Sequence, residues 1–199
     1  MARSGLGQSF FLTGGTALAA CYLRHRLSED LDFFTEEPGA VRQVAPVLET
    51  IAREAAGSVR IARQFETFLG AFITSPQGET VKIDFAQDSP FRLRPLESSP
   101  YEIRVDNPLD IACNKLSALF ERAAAKDFVD LYFIDQKLVP FEELLPQAQR
   151  KHVGLDRYWL AIAFQQVERI DKWPVMKAAC DFKALRAFFL AKARELLTP

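Results

Sequence analysis

The stretch SFFLTGGTALAACYLRHRLSEDLDFF, residues 9–34, decides the fold. Ser9 to Thr13 predicts a short strand, Gly14-Gly15-Thr16 a turn, and Ala17 to Leu23 a helix rich in alanine and leucine, with Thr16 as its start signal. Arg24 to Ser28 is polar, and Asp30 to Phe34 predicts a second strand. A Gly-Gly turn opening a helix presents backbone N–H groups with no side chain in the way, as phosphate binding needs, and Thr16 adds a hydroxyl. Taken alone, such a pair is more often only a tight turn. Asp30 and Asp32 flank Leu31, so strand alternation puts both carboxylates on one face and Leu31 and Phe33 on the other. Two such carboxylates repel each other; a solvated strand end tolerates them, and so does a divalent cation between them.

Downstream, Val41 to Ala56 predicts an amphipathic helix, with Val44, Val47, Leu48 and Ile51 at helical spacing, ended by Gly57-Ser58. Val59 to Phe65, Phe68 to Thr74 and Thr80 to Ala86 predict strands, the last two joined as an antiparallel hairpin by Ser75-Pro76-Gln77-Gly78. Tyr101 to Val105 predicts another short strand. In Val81-Lys82-Ile83-Asp84-Phe85 the apolar residues share one face, and Lys82 and Asp84 share the other. If this strand neighbours Asp30–Asp32, three carboxylates meet; a pair of metal ions roughly 4 Å apart needs about that many shared oxygens. On its own, Asp84 reads as an exposed polar residue of a half-buried strand.

Asn107-Pro108 starts a helix running to about Ala124, and a second is predicted from Asp127 to Gln136, where Asp127 can serve as N-cap with Asp130 in the first turn. From Pro140 the pattern is helical, with breaks near Gly154 and Pro174; Trp159, Leu160, Ile162 and Phe164 read as core. The expected class is α+β: a mixed sheet with flanking helices, then a helical C-terminal region, divided into residues 1–138 and 139–199.

Composition narrows the function classes. The 199 residues are 49% hydrophobic with 17 Phe, enough for a packed core. A formal net charge of -1 gives no global case for nucleic-acid or membrane binding, and no apolar run approaches the ~20 residues that span a bilayer. Arg42, Arg53, Arg60, Arg63, Arg92, Arg94 and Arg104 leave a local basic surface for RNA open. Cys21, Cys113 and Cys180 form no CxxC pair, and the polar start resembles no signal peptide; the expectation is reduced thiols in a cytoplasmic protein.

Gly14-Gly15-Thr16, Asp30-Leu31-Asp32 and a distant strand Asp84 together resemble the polymerase-β-like nucleotidyltransferase superfamily. More closely, Phe11-Leu12-Thr13-Gly14-Gly15-Thr16-Ala17-Leu18 and His25-Arg26-Leu27-Ser28-Glu29-Asp30-Leu31-Asp32-Phe33-Phe34 resemble the AbiEii family of nucleotidyltransferase toxins. The likeness runs from Ser9 to Asp135 and includes a helix lysine, Lys115, then Arg122 and Lys126-Asp127-Phe128-Val129-Asp130-Leu131. It implies Asp30, Asp32 and Asp84 as metal ligands, with Asp84 helping to activate an acceptor hydroxyl. It implies a nucleoside triphosphate (NTP) held at Gly14, Gly15 and Thr16 with Mg²⁺ or Mn²⁺, and Lys115 and Asp127 in the active site. It further implies Arg26, Ser28 and Arg122 as residues supporting the nucleotide.

At ~100° per residue, Lys115 and Arg122 fall within about 20° of each other beside the stripe of Leu109, Ala112, Cys113, Leu116 and Phe120. They read as phosphate-binding cations or as an ordinary solvated border. Arg26 reads as touching phosphate or pairing with an acid, Ser28 as a turn cap, and His25 as structural or exposed. The resemblance further implies a cognate antitoxin and a tRNA 3′ end as acceptor. The alternatives are a small-molecule, antibiotic-modifying nucleotidyltransferase and a non-catalytic module that keeps the fold. The family usually carries a helix ahead of the glycine motif, whereas few residues precede Phe10 here. The expectation is core surface left open, with consequences for stability and oligomeric state.

Overall fold

A computed structural model describes residues 5–198 of the chain. Its chain contacts divide into two compact units. The first holds residues up to Ala17, Ser28–Phe91 and Pro95–Asn107; the second holds Leu18–Leu27, Arg92–Arg94 and the chain from Pro108 onward. The two helices from Pro108 to Lys137 cluster with the C-terminal ones in the second unit.

The first unit is built on a mixed sheet of seven strands: β1 (Phe11–Thr13), β2 (Asp30–Thr35), β3 (Ser58–Gln64), β4 (Phe68–Thr74), β5 (Thr80–Gln87), β6 (Glu97–Ser98) and β7 (Arg104–Val105). The strand order is β3-β4-β5-β2-β1-β7-β6, with β2–β5 and β1–β7 parallel and the other pairs antiparallel. The β4–β5 hairpin is where Ser75 to Gly78 predicts it, and Gly78 takes a positive φ of 87° in the turn. The strand expected over Tyr101 to Val105 shrinks to two residues, and β6 has no sequence signal.

Alternation fixes what the sheet buries. Leu31, Phe33, Ile83 and Phe85 point to one face, where Phe85 stacks on Phe33 at 5.3 Å and meets Phe10 edge-on at 5.2 Å. Burying each ring stabilises the unit by about 1.5–3 kcal/mol. A short α1 (Leu6–Ser9) precedes β1. The helix predicted after Val41 is a 3₁₀ turn (Ala40–Gln43) running into α3 (Val44–Glu54), whose Val44, Leu48 and Ala52 form one buried stripe. It packs against β3 and β4.

The second unit is helical: α4 (Pro108–Arg122), α5 (Ala125–Lys137), α6 (Phe141–Lys151), α7 (Arg157–Gln165) and α8 (Phe182–Leu197). Pro108 occupies the first position of α4, as its missing N–H favours. Asp156 and Asp181 cap α7 and α8 by accepting backbone N–H groups. Phe189 anchors the interior, 4.9 Å from Phe128 and 5.0 Å from Phe164. Trp159, expected in the core, is 60% exposed, while Leu160 and Phe164 are fully buried.

The chain leaves β1 as α2 (Gly14–Ala17) and continues as a π-helical stretch, Leu18–Leu23, so the helix begins at Gly14 rather than Ala17. That stretch packs on α4 and α5. Residues His25 to Leu27 are held by backbone pairing with a segment near the C-terminus: Leu27 N–H donates to Val175 O, and Lys177 and Ala178 N–H donate to His25 O. Asp110, fully buried, anchors Arg92–Arg94 by accepting from Leu93 N (3.1 Å), Arg94 N (3.0 Å) and Lys151 Nζ (2.6 Å).

Candidate active site

Register places the acidic residues. Asp30 lies opposite Lys82 and Asp32 opposite Asp84 across the parallel β2–β5 ladder, and Thr13 lies opposite Asp32 across β1–β2. Direct partners in a ladder share a face, so Asp30, Asp32, Lys82 and Asp84 lie together, opposite the phenylalanine core. Thr13 is fixed by a buried hydrogen bond to Asp106 Oδ2 at 2.9 Å.

Two glycines leave room for carboxylates. Gly14 has φ 68°, and a Cβ there would run into the Asp32 carboxylate, with Cγ at 3.1 Å. A Cβ at Gly70, directly opposite Asp84, would sit 3.0 Å from Asp84 Oδ1. Gly14→Ala is therefore expected to strain the backbone and displace Asp32 together. It costs about 1–2 kcal/mol of stability, read as a lowered thermal midpoint, and cuts transfer activity by at least about tenfold. Unchanged activity in a stable Gly14→Ala protein would show that Asp32 need not sit where it does.

Thr16 does something the sequence does not reveal. Its hydroxyl lies 2.8 Å from Ser28 Oγ and donates to the Asp30 carbonyl, bracing the glycine turn against the carboxylate strand. Ser28 thus joins this brace. Asp84 carries the clearest sign of an incomplete site: its Oδ2 pairs with Lys82 Nζ, while its buried Oδ1 has no hydrogen-bond partner. A buried carboxylate oxygen without a partner is costly, and a hard cation is one remedy. Burial alone would lower the Lys82 pKa; the hydrogen bond and charge of Asp84, with the charges of Asp30 and Asp32, raise it instead. Among the described residues, no three His, Cys, Asp or Glu side chains are gathered tightly enough to hold a metal ion as they stand. The donor chemistry suits a hard divalent cation, and an ammonium already occupies one of its oxygens.

In the second unit Arg26 and Lys115 converge on Asp130, which the sequence offers only as a first-turn residue, and Lys115 and Arg122 converge on Asp127. Asp130 is fully buried and accepts from Arg26 Nε (2.6 Å) and Nη2 (2.7 Å), pairs with Lys115 Nζ (2.6 Å), and bonds His25 Nε2 (2.8 Å). Burial would raise its pKa, but the charge of Lys115 and the hydrogen bonds of His25 and Arg26 hold the carboxyl well below the ordinary range. Asp127 takes Lys115 Nζ at 3.2 Å and both Arg122 Nε (2.8 Å) and Nη2 (3.0 Å).

Several expectations change here. Asp127 is not the N-cap of α5, a position Ala124 occupies; it is the third helical residue, and Asp130 lies a turn further on. Lys115 is no solvated border: it is buried between two carboxylates, whereas Arg122 keeps 52% of its side chain exposed. His25 is structural and wholly buried, and Arg26 pairs with an acid. Spacing puts Asp127 and Asp130 three apart on one helix face, but nothing local names the buried cations that face them. All three cysteines are free thiols, and burial pushes those of Cys21 and Cys180 up.

Comparison with known proteins agrees with this architecture. JHP933 from Helicobacter pylori, whose crystal structure is solved, matches 98% of this chain and 87% of its own at 19% identity with a TM-score of 0.61. MenT4, a nucleotidyltransferase toxin of Mycobacterium tuberculosis, matches 94% of this chain and 75% of its own at 18% identity with a TM-score of 0.59. At such identity these show the fold, an α+β nucleotidyltransferase fold. An uncharacterised protein of Aquifex aeolicus is 32% identical over 156 residues, 76% of this chain and 70% of that protein. The family model described as nucleotidyl transferase AbiEii toxin, type IV toxin–antitoxin system, matches residues 1–193, and the chain belongs to that family. It is a nucleotidyltransferase; the family in general uses a nucleoside triphosphate and a divalent metal and is paired with an antitoxin. Among the described residues no helix is long and apolar enough to cross a membrane.

Proposed function

We propose that the protein moves a nucleoside monophosphate from a nucleoside triphosphate to an acceptor hydroxyl, with Mg²⁺ or Mn²⁺ held by Asp30, Asp32 and Asp84. The observation that carries this is the in-register carboxylate face of β2 and β5, with Asp84 Oδ1 buried and unpartnered. A bound divalent ion there would neutralise phosphate charge and polarise the triphosphate. The acceptor oxygen attacks the α-phosphorus, the bond to the β-phosphate oxygen breaks, and pyrophosphate leaves. Asp84 helps take up the hydroxyl proton. Gly14 leaves the approach to Asp32 open, the Gly14-Gly15 turn is assigned to the triphosphate, and Thr16 and Ser28 hold that turn on the strand. Lys115 and Arg122 are assigned to phosphate charge, with Asp127 fixing both, and Arg26 to holding Asp130.

The proposed acceptor is the 3′ end of a tRNA, and the proposed restraint is a cognate antitoxin. The test mixes protein, Mg²⁺, each α-labelled nucleoside triphosphate in turn, and total tRNA, with the Asp30→Ala/Asp32→Ala double variant as control. Label moving onto tRNA only with the unmodified protein is the expected result. Absence of transfer with every nucleotide would remove tRNA as acceptor.

A further inference from the structure

Lys82 has no part in the reaction just described, yet it stands on the carboxylate face. It lies directly opposite Asp30 in the ladder, two residues before Asp84 on the same side of β5, and its ammonium pairs with Asp84 Oδ2. The pair is only part-exposed, with 40% of the Lys82 side chain and 16% of the Asp84 side chain accessible. Three carboxylates on neighbouring strands repel, and a lysine at this position neutralises part of that charge within the chain itself. The same ammonium occupies an oxygen that a metal would need.

We propose that Lys82 is a tethered cation that stands at Asp84 when no divalent ion is bound and must leave it when one binds. The inference rests on the metal reading of the carboxylates given above. A bare divalent ion would enter against a positive charge already in place, and like charges a few ångströms apart in a partly buried site disfavour each other. A nucleoside triphosphate brings more negative charge than the ion brings positive, so the released ammonium has phosphate oxygens to pair with. Lys82 thereby makes metal binding depend on nucleotide, and keeps the site from holding a metal in the nucleotide's absence.

The test is calorimetric titration of the full-length protein with MnCl₂, with and without a non-hydrolysable nucleoside triphosphate, backed by electron paramagnetic resonance of the free Mn²⁺. Lys82→Met is expected to bind bare Mn²⁺ about tenfold more tightly than the unmodified protein. Lys82→Arg, which keeps the charge, stays near the unmodified value. The metal-free Lys82→Met protein melts lower, and Mn²⁺ restores its midpoint. Lys82→Gln gives the same readout if the methionine variant folds poorly. Equal Mn²⁺ affinity with and without the lysine charge, in proteins that do bind the ion, would overturn the role of Lys82 and leave the metal site standing. No Mn²⁺ binding by any form, with or without nucleotide, would overturn both.

Discussion

Asp32→Asn is expected to lower nucleotidyl transfer by about a thousandfold while leaving the protein at least as stable as before. Asparagine keeps the shape that the Gly14 clearance accommodates and the place in the ladder between Thr13 and Asp84. It removes one of three like charges on that face, so repulsion in the folded state falls. A residue kept for packing would show the reverse, with stability lost and activity tracking the folded fraction. Single-turnover transfer of labelled nucleotide and a thermal melt on the same sample separate the cases. Activity within tenfold of the unmodified protein would remove Asp32 from the catalytic set.

Asp130→Ala is expected to destabilise the helical unit by about 3–5 kcal/mol, because it leaves Lys115 and Arg26 buried with too little anion. The signature is a lower urea midpoint for the helical signal, accompanied by loss of activity. The pH dependence has a definite sign. The Asp130 carboxyl is depressed in the folded protein relative to its unfolded value of about 4. Its contribution is therefore fully present above that unfolded value and is lost as pH falls through the folded one. The gap between unmodified and Asp130→Ala proteins should stay constant from about pH 5 to 8 and close only in strong acid. A gap that closed between about pH 5 and 7 would mean that something other than this carboxylate holds the cluster.

These two residues also mark how much was legible beforehand. Asp30, Asp32 and Asp84 follow from a period of two: once the strands are recognised, alternation fixes the face, and only their adjacency has to be learned from the sheet. The β4–β5 hairpin and the start of α4 were readable because Gly78 and Pro108 punctuate the chain locally. Asp130 was not, because its partners Arg26 and His25 lie about a hundred residues upstream, and local spacing does not report such pairings. The burial of Lys115 was hidden for the same reason: a helical wheel shows the angle a side chain points, not whether two carboxylates wait there. The π-helical stretch and the exposure of Trp159 are likewise set by tertiary packing.

The backbone pairing of His25–Leu27 with Val175–Ala178 has a consequence for the order of events during synthesis. The paired segments are about 150 residues apart in the chain, so this contact closes only after the chain has emerged past Ala178. A nascent chain that already contains the carboxylate strands still lacks the strap that holds the residues flanking Arg26. A product stalled before Val175 therefore cannot form this strap.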